Sequence, residues 1–436
     1  MEEYVLSPYV FYYQKGDFLY LYNSENGLKT KIFNKELINF ILQNSKKVVN
    51  TVPSQLLDYK IFVLNNGIYE NTIKEIKKNI ETNNTQLRLI ILPTRNCNFK
   101  CKYCYEQKSF TMMSKKTQDN LINATINYIK SNHDLNKVHL EWFGGEPLLA
   151  YDSIIYISSS IKKFCDDNGI NLMMSMTTNG SLLTFERFKE LYSLNLKNYQ
   201  ITIDGFPQYH NRLRPFINNS SSSFDVIMHN LEEIKKFDKA FEITLRMNYY
   251  LDMLDSFDDY FEYISNKFDY RFSIYPYRIN PPSEKFALEF EPVDATQEKY
   301  VLKHYFSLLK SKRIQMKNFS NYFIPYGSVC YGRLNYSLVI DVDGSIRKCT
   351  EYLEDNHFNY LGNINDGYFN VDNNLIKLWS QSPNIENNKC VKCSHLPNCC
   401  GGICPIQWIY NNNVSCPTFY EIEKEALDAY FSVKEN

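Results

Sequence analysis

Three cysteines fall within eight residues, Cys97-Asn-Phe-Lys-Cys101-Lys-Tyr-Cys104, at the spacing C-x3-C-x2-C. Three thiolates on one short loop can hold three irons of a cubane cluster and leave the fourth iron without a protein ligand. An open metal position is a place for substrate or cofactor to bind. The alternative is a zinc knuckle, but that wants a fourth Cys or His nearby, and none stands within twenty residues. Of the 12 cysteines, eight more crowd towards the other end: Cys330, Cys349, Cys390, Cys393, Cys399, Cys400, Cys404 and Cys416. The opening MEEYVLSPYV shows no basic region followed by an apolar one. A cytoplasmic protein with reduced thiols is therefore expected, and clustered cysteines there bind metal or do redox work.

The rest of the chain must position these groups. Its 436 residues are 44% hydrophobic and 22% charged, too apolar for a disordered chain. At about 100–200 residues per domain they make roughly two to four domains. The net charge of −1 offers no field for nucleic acid or an anionic membrane. No apolar run approaches the length of a spanning helix.

Residues 1–80 read as a small α+β module. Tyr9–Tyr13 and Phe18–Tyr22 flank Lys15-Gly16-Asp17 as a hairpin. Leu37, Phe40 and Ile41, then Leu56, Leu57 and Ile61 after Pro53, show helical spacing. The polar stretch 71–86 reads as a linker. From Leu87, strands at 87–92, 138–143, 172–176, 199–203, 241–247 and 272–275 alternate with helical patterns such as Ile154, Ile157, Ile161 and Phe164. Cys165 falls on that apolar helical face as a core residue. Repeated βα units imply a parallel sheet, open or barrel, with chemistry at the strand C-termini. The serines at 220–223 read as a surface loop. Between 330 and 416, Ser337–Ile340, Asp343-Gly344 and Ile346 suggest one hairpin, and cysteines stand in place of an apolar core.

The cysteine triplet resembles the signature of the radical S-adenosylmethionine (radical SAM) superfamily, and further residues of that pattern follow in order. Tyr103 matches the aromatic that packs on adenine. Gly144-Gly145-Glu146-Pro147 matches the GGEP motif, whose backbone and carboxylate receive the methionine amino group. Ser175 and Thr178-Asn179-Gly180 match S-x-x-T-N-G. Asp204-Gly205, His210 and Arg214 match D-G…H-x3-R, and Arg214 or Arg246 suits the carboxylate of SAM. The resemblance implies a partial (β/α)6 barrel over 87–290, with a [4Fe–4S] cluster on Cys97, Cys101 and Cys104 and SAM on the open iron. Reductive cleavage of SAM then yields a 5′-deoxyadenosyl radical that abstracts hydrogen from a substrate.

The later cysteines resemble the SPASM domain, here 325–436, which carries two auxiliary [4Fe–4S] clusters. By that resemblance Cys330, Cys349 and Cys404 share one cluster. Cys390, Cys393, Cys416 and one of Cys399 and Cys400 hold the other, with three clusters in all. The spacing leaves open which of the adjacent pair ligates, and whether one iron lacks a protein ligand. The order of elements in 1–80 resembles winged-helix-like modules that bind a leader peptide as an added strand. The expected function is maturation of a ribosomally made precursor peptide, with a thioether crosslink foremost and a flavodoxin or ferredoxin-type electron donor. A carbon–carbon crosslinking maturase, an anaerobic sulfatase-maturing enzyme and a leader-binding pseudoenzyme are the alternatives. Sulfatase maturases place an Asp directly after the second SPASM cysteine as base. Here Thr350 and Glu351 follow Cys349, and Glu351 is the candidate base.

Overall fold

The computed structural model describes residues 2–434, apart from 219–220, 280–286, 288, 313–318, 355–356, 382–383, 387, 412–413 and 415. The chain divides into two compact units. One comprises Met1–Asn83, Lys317–Asn335 and Lys377–Glu435, and the other Asn84–Met316 and Tyr336–Ile376.

In the first unit, β1 (Tyr4–Leu6) precedes a meander of β2 (Val10–Lys15), β3 (Phe18–Asn23) and β4 (Leu28–Ile32). Lys15 pairs with Phe18 across Gly16-Asp17, and Gly16 takes the positive φ that so tight a turn needs. Helix α1 (Lys35–Asn44) starts where the Asn34 side chain accepts the amides of Glu36 and Leu37. Short α2 (Ser54–Asp58) leads to β5 (Phe62–Leu64), which pairs with β1. Leu19, Leu21, Ile38, Ile41, Leu56 and Phe62 share one core.

The expected linker is instead helix α3 (Ile68–Glu81). Thr72, Ile76 and Ile80 recur every four residues and are buried, while lysines and glutamates cover the other faces. A stripe of three buried residues, two of them isoleucines, holds the helix, and polar composition concealed it.

In the second unit six strands pair in parallel in chain order: β6 (Gln86–Ile91), β7 (Lys137–Trp142), β8 (Asn171–Thr178), β9 (Leu196–Thr202), β10 (Glu242–Tyr249) and β11 (Phe272–Arg278). Helices α4 (Lys115–Ser131), α5 (Tyr151–Asp167), α6 (Phe185–Ser193), α7 (Pro207–Leu213), α8 (Ser223–Lys235) and α9 (Phe257–Lys267) return the chain. A doubly wound sheet reverses its strand order at a switch point. None occurs across β6 to β11, so the winding is that of a partial (β/α)6 barrel. The serine run is partly structural: Ser222 accepts the Asp225 amide and caps α8, while Ser220 lies outside the described residues. Cys165 is fully buried on α5 with Ile154, Ile157 and Ile161, as expected.

The expected hairpin, β12 (Ser337–Ile340) and β13 (Ser345–Arg347), extends this sheet. β12 pairs in parallel with the outer edge of β6, and β14 (Tyr360–Asn363) and β15 (Asn370–Val371) continue antiparallel to ten strands. Alternation gives the barrel a polar face. Val138, Leu140 and Trp142 of β7 are buried, whereas His139 and Glu141 point the other way. Glu141 accepts from Arg88 at 2.5 Å, and His139 bonds Ser175 Oγ at 2.9 Å. Barrel interiors are usually filled by branched apolar layers; this one carries polar side chains towards its axis.

Candidate active site

The loop that follows β6 carries the cysteine triplet, and three neighbours hold it. Lys100 and Lys102 amides donate to the Pro215 and Leu213 carbonyls, both at 2.9 Å, and Phe99 packs edge-on against Phe216. The Glu146 amide donates to Asn96 O at 2.8 Å. Gly144 and Gly145 supply the third support by having no side chains. A Cβ on Gly144 would stand 2.4 Å from Thr94 O, and one on Gly145 would stand 2.4 Å from Asn96 O and 2.7 Å from Arg95 O. The loop after β7 thus lies directly against the backbone that leads into Cys97. Cys97 is buried and its Sγ accepts the Phe99 amide at 3.4 Å; Cys101 and Cys104 are half-buried.

Burial pushes the Cys97 thiol up to about 12, and lifts Cys101 and Cys104 as well. Such thiols ionise when a metal takes the place of the proton. Among the described residues no three His, Cys, Asp or Glu side chains converge tightly enough for a single ion. Three thiols on one supported loop, with an amide already aimed at one sulfur, suit the corners of an iron–sulfur cluster.

Glu146 is fully buried, and its carboxylate is committed to protein. Oε1 accepts from Leu148 N at 3.0 Å and Thr178 Oγ1 at 2.7 Å, and Oε2 accepts from Asn179 N at 2.7 Å. Burial raises its pKa while these donors oppose the rise. These bonds tie the end of β7 to the end of β8. Pro147 opens the turn behind it, where φ near −65° is already needed. Asn179 also reaches Asn98 in the cysteine loop, Nδ2 to Oδ1 at 2.8 Å.

A second buried node lies at the ends of β9 and β10. Tyr103 Oη donates to Asp204 Oδ2 at 2.5 Å and accepts from Arg214 Nη1 at 2.7 Å and Asn248 Nδ2 at 3.0 Å. Asp204 Oδ1 accepts the Asn248 amide at 2.8 Å, and the Asp204 amide donates to His210 Nδ1 at 3.0 Å. Burial holds His210 well below its ordinary pKa, so this acceptor nitrogen is unprotonated. His210 and Arg214 are therefore buried parts of the frame. Arg246 donates from Nε to Asn248 Oδ1 at 2.9 Å, with its guanidinium 4.0 Å from the Tyr277 ring centroid. Glu351 is reached by water. Protein around it nonetheless raises its carboxyl pKa, with Arg246 pulling the other way.

The cysteines of the other unit sort by burial and charge. Cys390, Cys393 and Cys416 lie within electrostatic reach of one another, and Cys399 within reach of Cys390 and Cys393. Cys400 does not point with them. It is fully buried among Tyr9, Ile76, Ile80, Ile385 and Leu396, and its Sγ contacts Pro397 O at 3.8 Å. The Cys330 amide donates to Ile403 O, which sets Cys330 beside the segment bearing Cys404. Cys349 belongs to the barrel unit, buried after β13, where its Sγ accepts the Glu351 amide at 3.4 Å.

Residues 91–263 match the sequence profile of the Radical SAM superfamily. This stretch is a radical SAM domain. A cysteine-type anaerobic sulfatase-maturating enzyme of Clostridium novyi (strain NT) is 26% identical over 349 residues, covering 72% of this chain and 87% of that protein. The radical SAM cyclopropyl synthase TigE of Paramaledivibacter caminithermalis is 24% identical over 238 residues, and the match spans about half of each protein, 50% and 48%. Among solved structures, native anSMEcpe with bound AdoMet superposes with a TM-score of 0.60 at 20% identity, over 79% of this chain and 97% of that one, a likeness of fold.

Several residues that build the radical SAM domain escaped the sequence reading. Asn98 and Asn248 brace the cysteine loop, and Arg95 pairs with Asp341 and Glu354. Asn98 sits inside the triplet, and its position there was the available signal. Asn248 and Asp341 carried none, because their partners lie far away in sequence.

Proposed function

We propose that this chain is a radical SAM enzyme that oxidises a peptide substrate held over the polar barrel face, with Cys97, Cys101 and Cys104 as cluster ligands. The observation that carries the reading is the triplet's loop lying against Gly144-Gly145 at the C-terminal end of the parallel strands. When bound, SAM and this cluster supply a 5′-deoxyadenosyl radical, and the auxiliary clusters supply an acceptor for the second electron.

The chain's own groups do the rest. Tyr103, Asp204, Arg214 and Asn248 keep the cysteine loop in one shape. The Gly144-Gly145-Glu146-Pro147 turn, through its backbone and the Glu146 carboxylate, receives the methionine amine. Ser175, Thr178 and Asn179 border the methionyl end, and Arg214 or Arg246 faces the SAM carboxylate. Cys330, Cys349 and Cys404 serve one auxiliary cluster, and Cys390, Cys393, Cys399 and Cys416 the other. The modules are 1–80 for peptide recognition, 87–290 for radical chemistry and 325–436 for the auxiliary clusters. In the first, β4 forms an outer edge of its sheet, suited to a leader peptide added as a strand. A flavodoxin or ferredoxin-type carrier provides electrons.

The reaction we favour joins a substrate Cys sulfur to carbon. One hydrogen leaves carbon as an atom, and the thiol proton goes to Glu351. A second reading, oxidation of Cys to formylglycine, is favoured by the likeness to the cysteine-type maturating enzyme. Anaerobic incubation with SAM and a reductant should yield 5′-deoxyadenosine, and Cys101→Ala should abolish it; unchanged cleavage in that variant refutes the assignment. With a Cys-containing peptide, loss of two hydrogens with sulfur retained and the thiol blocked marks a thioether. Loss of sulfur with a new aldehyde marks formylglycine.

A further inference from the structure

Three successive residues, Cys400, Gly401 and Gly402, have φ of +55°, +77° and +151°. A non-glycine residue in the left-handed region is strained, so Cys400 stays there only because its surroundings require it. The turn is closed from outside as well: a Cβ on Gly402 would meet Trp408 and Val414, each at 3.1 Å. Its carbonyls converge on one side chain. Arg333 Nη1 donates to Cys399 O at 3.1 Å and to Gly402 O, and Nη2 donates to Cys400 O at 3.2 Å. Arg333 is fully buried, with its guanidinium 5.3 Å from the Trp408 ring.

Carbonyls solvate a guanidinium only in part, and a buried cation needs opposite charge nearby. The groups whose fields reach it are Cys400, Cys399, Cys330 and Glu81. Two of these, Cys399 and Cys330, are auxiliary-cluster ligands in the reading above, and the inference rests on that reading. We propose that Arg333 is the positioning residue of the auxiliary cluster assigned to Cys390, Cys393, Cys399 and Cys416: it clamps the turn that aims Cys399 outward and Cys400 into the core, and fixes a positive charge beside that cluster. A fixed cation next to an anionic cluster favours its reduced form, so the residue also sets the potential.

The test compares reconstituted native protein with Arg333→Lys, which keeps the charge, and Arg333→Gln, which keeps donors without it. Iron per chain and an EPR-monitored redox titration are read together. Native protein with iron for the Cys97 cluster alone would sink the auxiliary-cluster reading itself, whatever the variants do. Given auxiliary iron, a downward shift of one auxiliary potential in Arg333→Gln, with Arg333→Lys near native, supports the inference. Selective loss of that cluster's iron from both variants supports the clamp. Native iron and potential in Arg333→Gln, or loss of the Cys97 cluster signal alongside, overturns it.

Discussion

Gly145 offers a test in which steric cost can be separated from backbone strain. Its φ is not in the left-handed region, so Gly145→Ala adds no torsional penalty. What it adds is a methyl group 2.4 Å from Asn96 O, 2.7 Å from Arg95 O and 2.8 Å from Asn96 C. All three atoms are main chain, so no side chain can swing aside. A carbon–oxygen contact settles at about 3.3 Å, and the segment before Cys97 would have to retreat by about 0.9 Å. A displacement near 1 Å in a catalytic arrangement costs on the order of 10²-fold. Gly145→Ala should therefore cleave SAM about 100-fold more slowly than the native protein at matched iron content, measured as 5′-deoxyadenosine formed anaerobically. Gly169→Ala is the control: its φ is +67° but nothing stands within 4 Å of the added methyl. It should lose about 1 kcal/mol of stability and no activity. A Gly145→Ala enzyme with native rate would show that the glycine does not position the cysteine loop.

Cys400→Ala should keep native iron while Cys399→Ala loses about four irons per chain, measured by iron quantitation after reconstitution. The opposite result would reverse the ligand assignment. Tyr103→Phe leaves Asp204 and Arg214 buried without their shared hydroxyl, so thermal unfolding of the barrel unit should shift by about 1–3 kcal/mol, with weaker SAM binding by titration calorimetry. His139 is held down to about 4 by burial. Between pH 6.5 and 4 the unfolded chain therefore binds the proton and the folded one does not, so stability falls with pH over that window, by up to about 3 kcal/mol. His139→Gln should flatten that part of the acid unfolding curve.

The barrel was legible because its signals are local. Val138, Leu140 and Trp142 announce a half-buried strand by themselves, and each motif follows such a strand. What failed was non-local or compositional. α3 hides three buried residues in a charged sequence. β12 joins β6 from far along the chain, and nothing near Ser337 says so. That Cys400 is buried while Cys399 is only half-buried goes with one left-handed residue and an arginine bound to it from more than sixty positions away. Spacing counts residues but does not report which way a backbone turns.

Motif residues are commonly read as ligand contacts, yet here they mostly contact one another. Glu146 gives both oxygens to the β8 end, Asp204 gives its two oxygens to Tyr103 and Asn248, and Gly144 and Gly145 matter through the backbone they admit. The physical reason lies in the reaction. A radical that abstracts hydrogen unselectively must be generated in one fixed place, and the groups around it must not shift when charge moves. Buried carboxylates that accept on both oxygens are stiff, because each lost hydrogen bond leaves a desolvated charge. The motif therefore reports a rigid frame. Replacing Glu146 by Gln sets an amide donor against the donors of Leu148, Thr178 and Asn179. It should loosen the cysteine loop before it touches any ligand: faster amide hydrogen exchange at residues 96–104 in the absence of SAM is the expected sign, and native exchange there would count against a framing role.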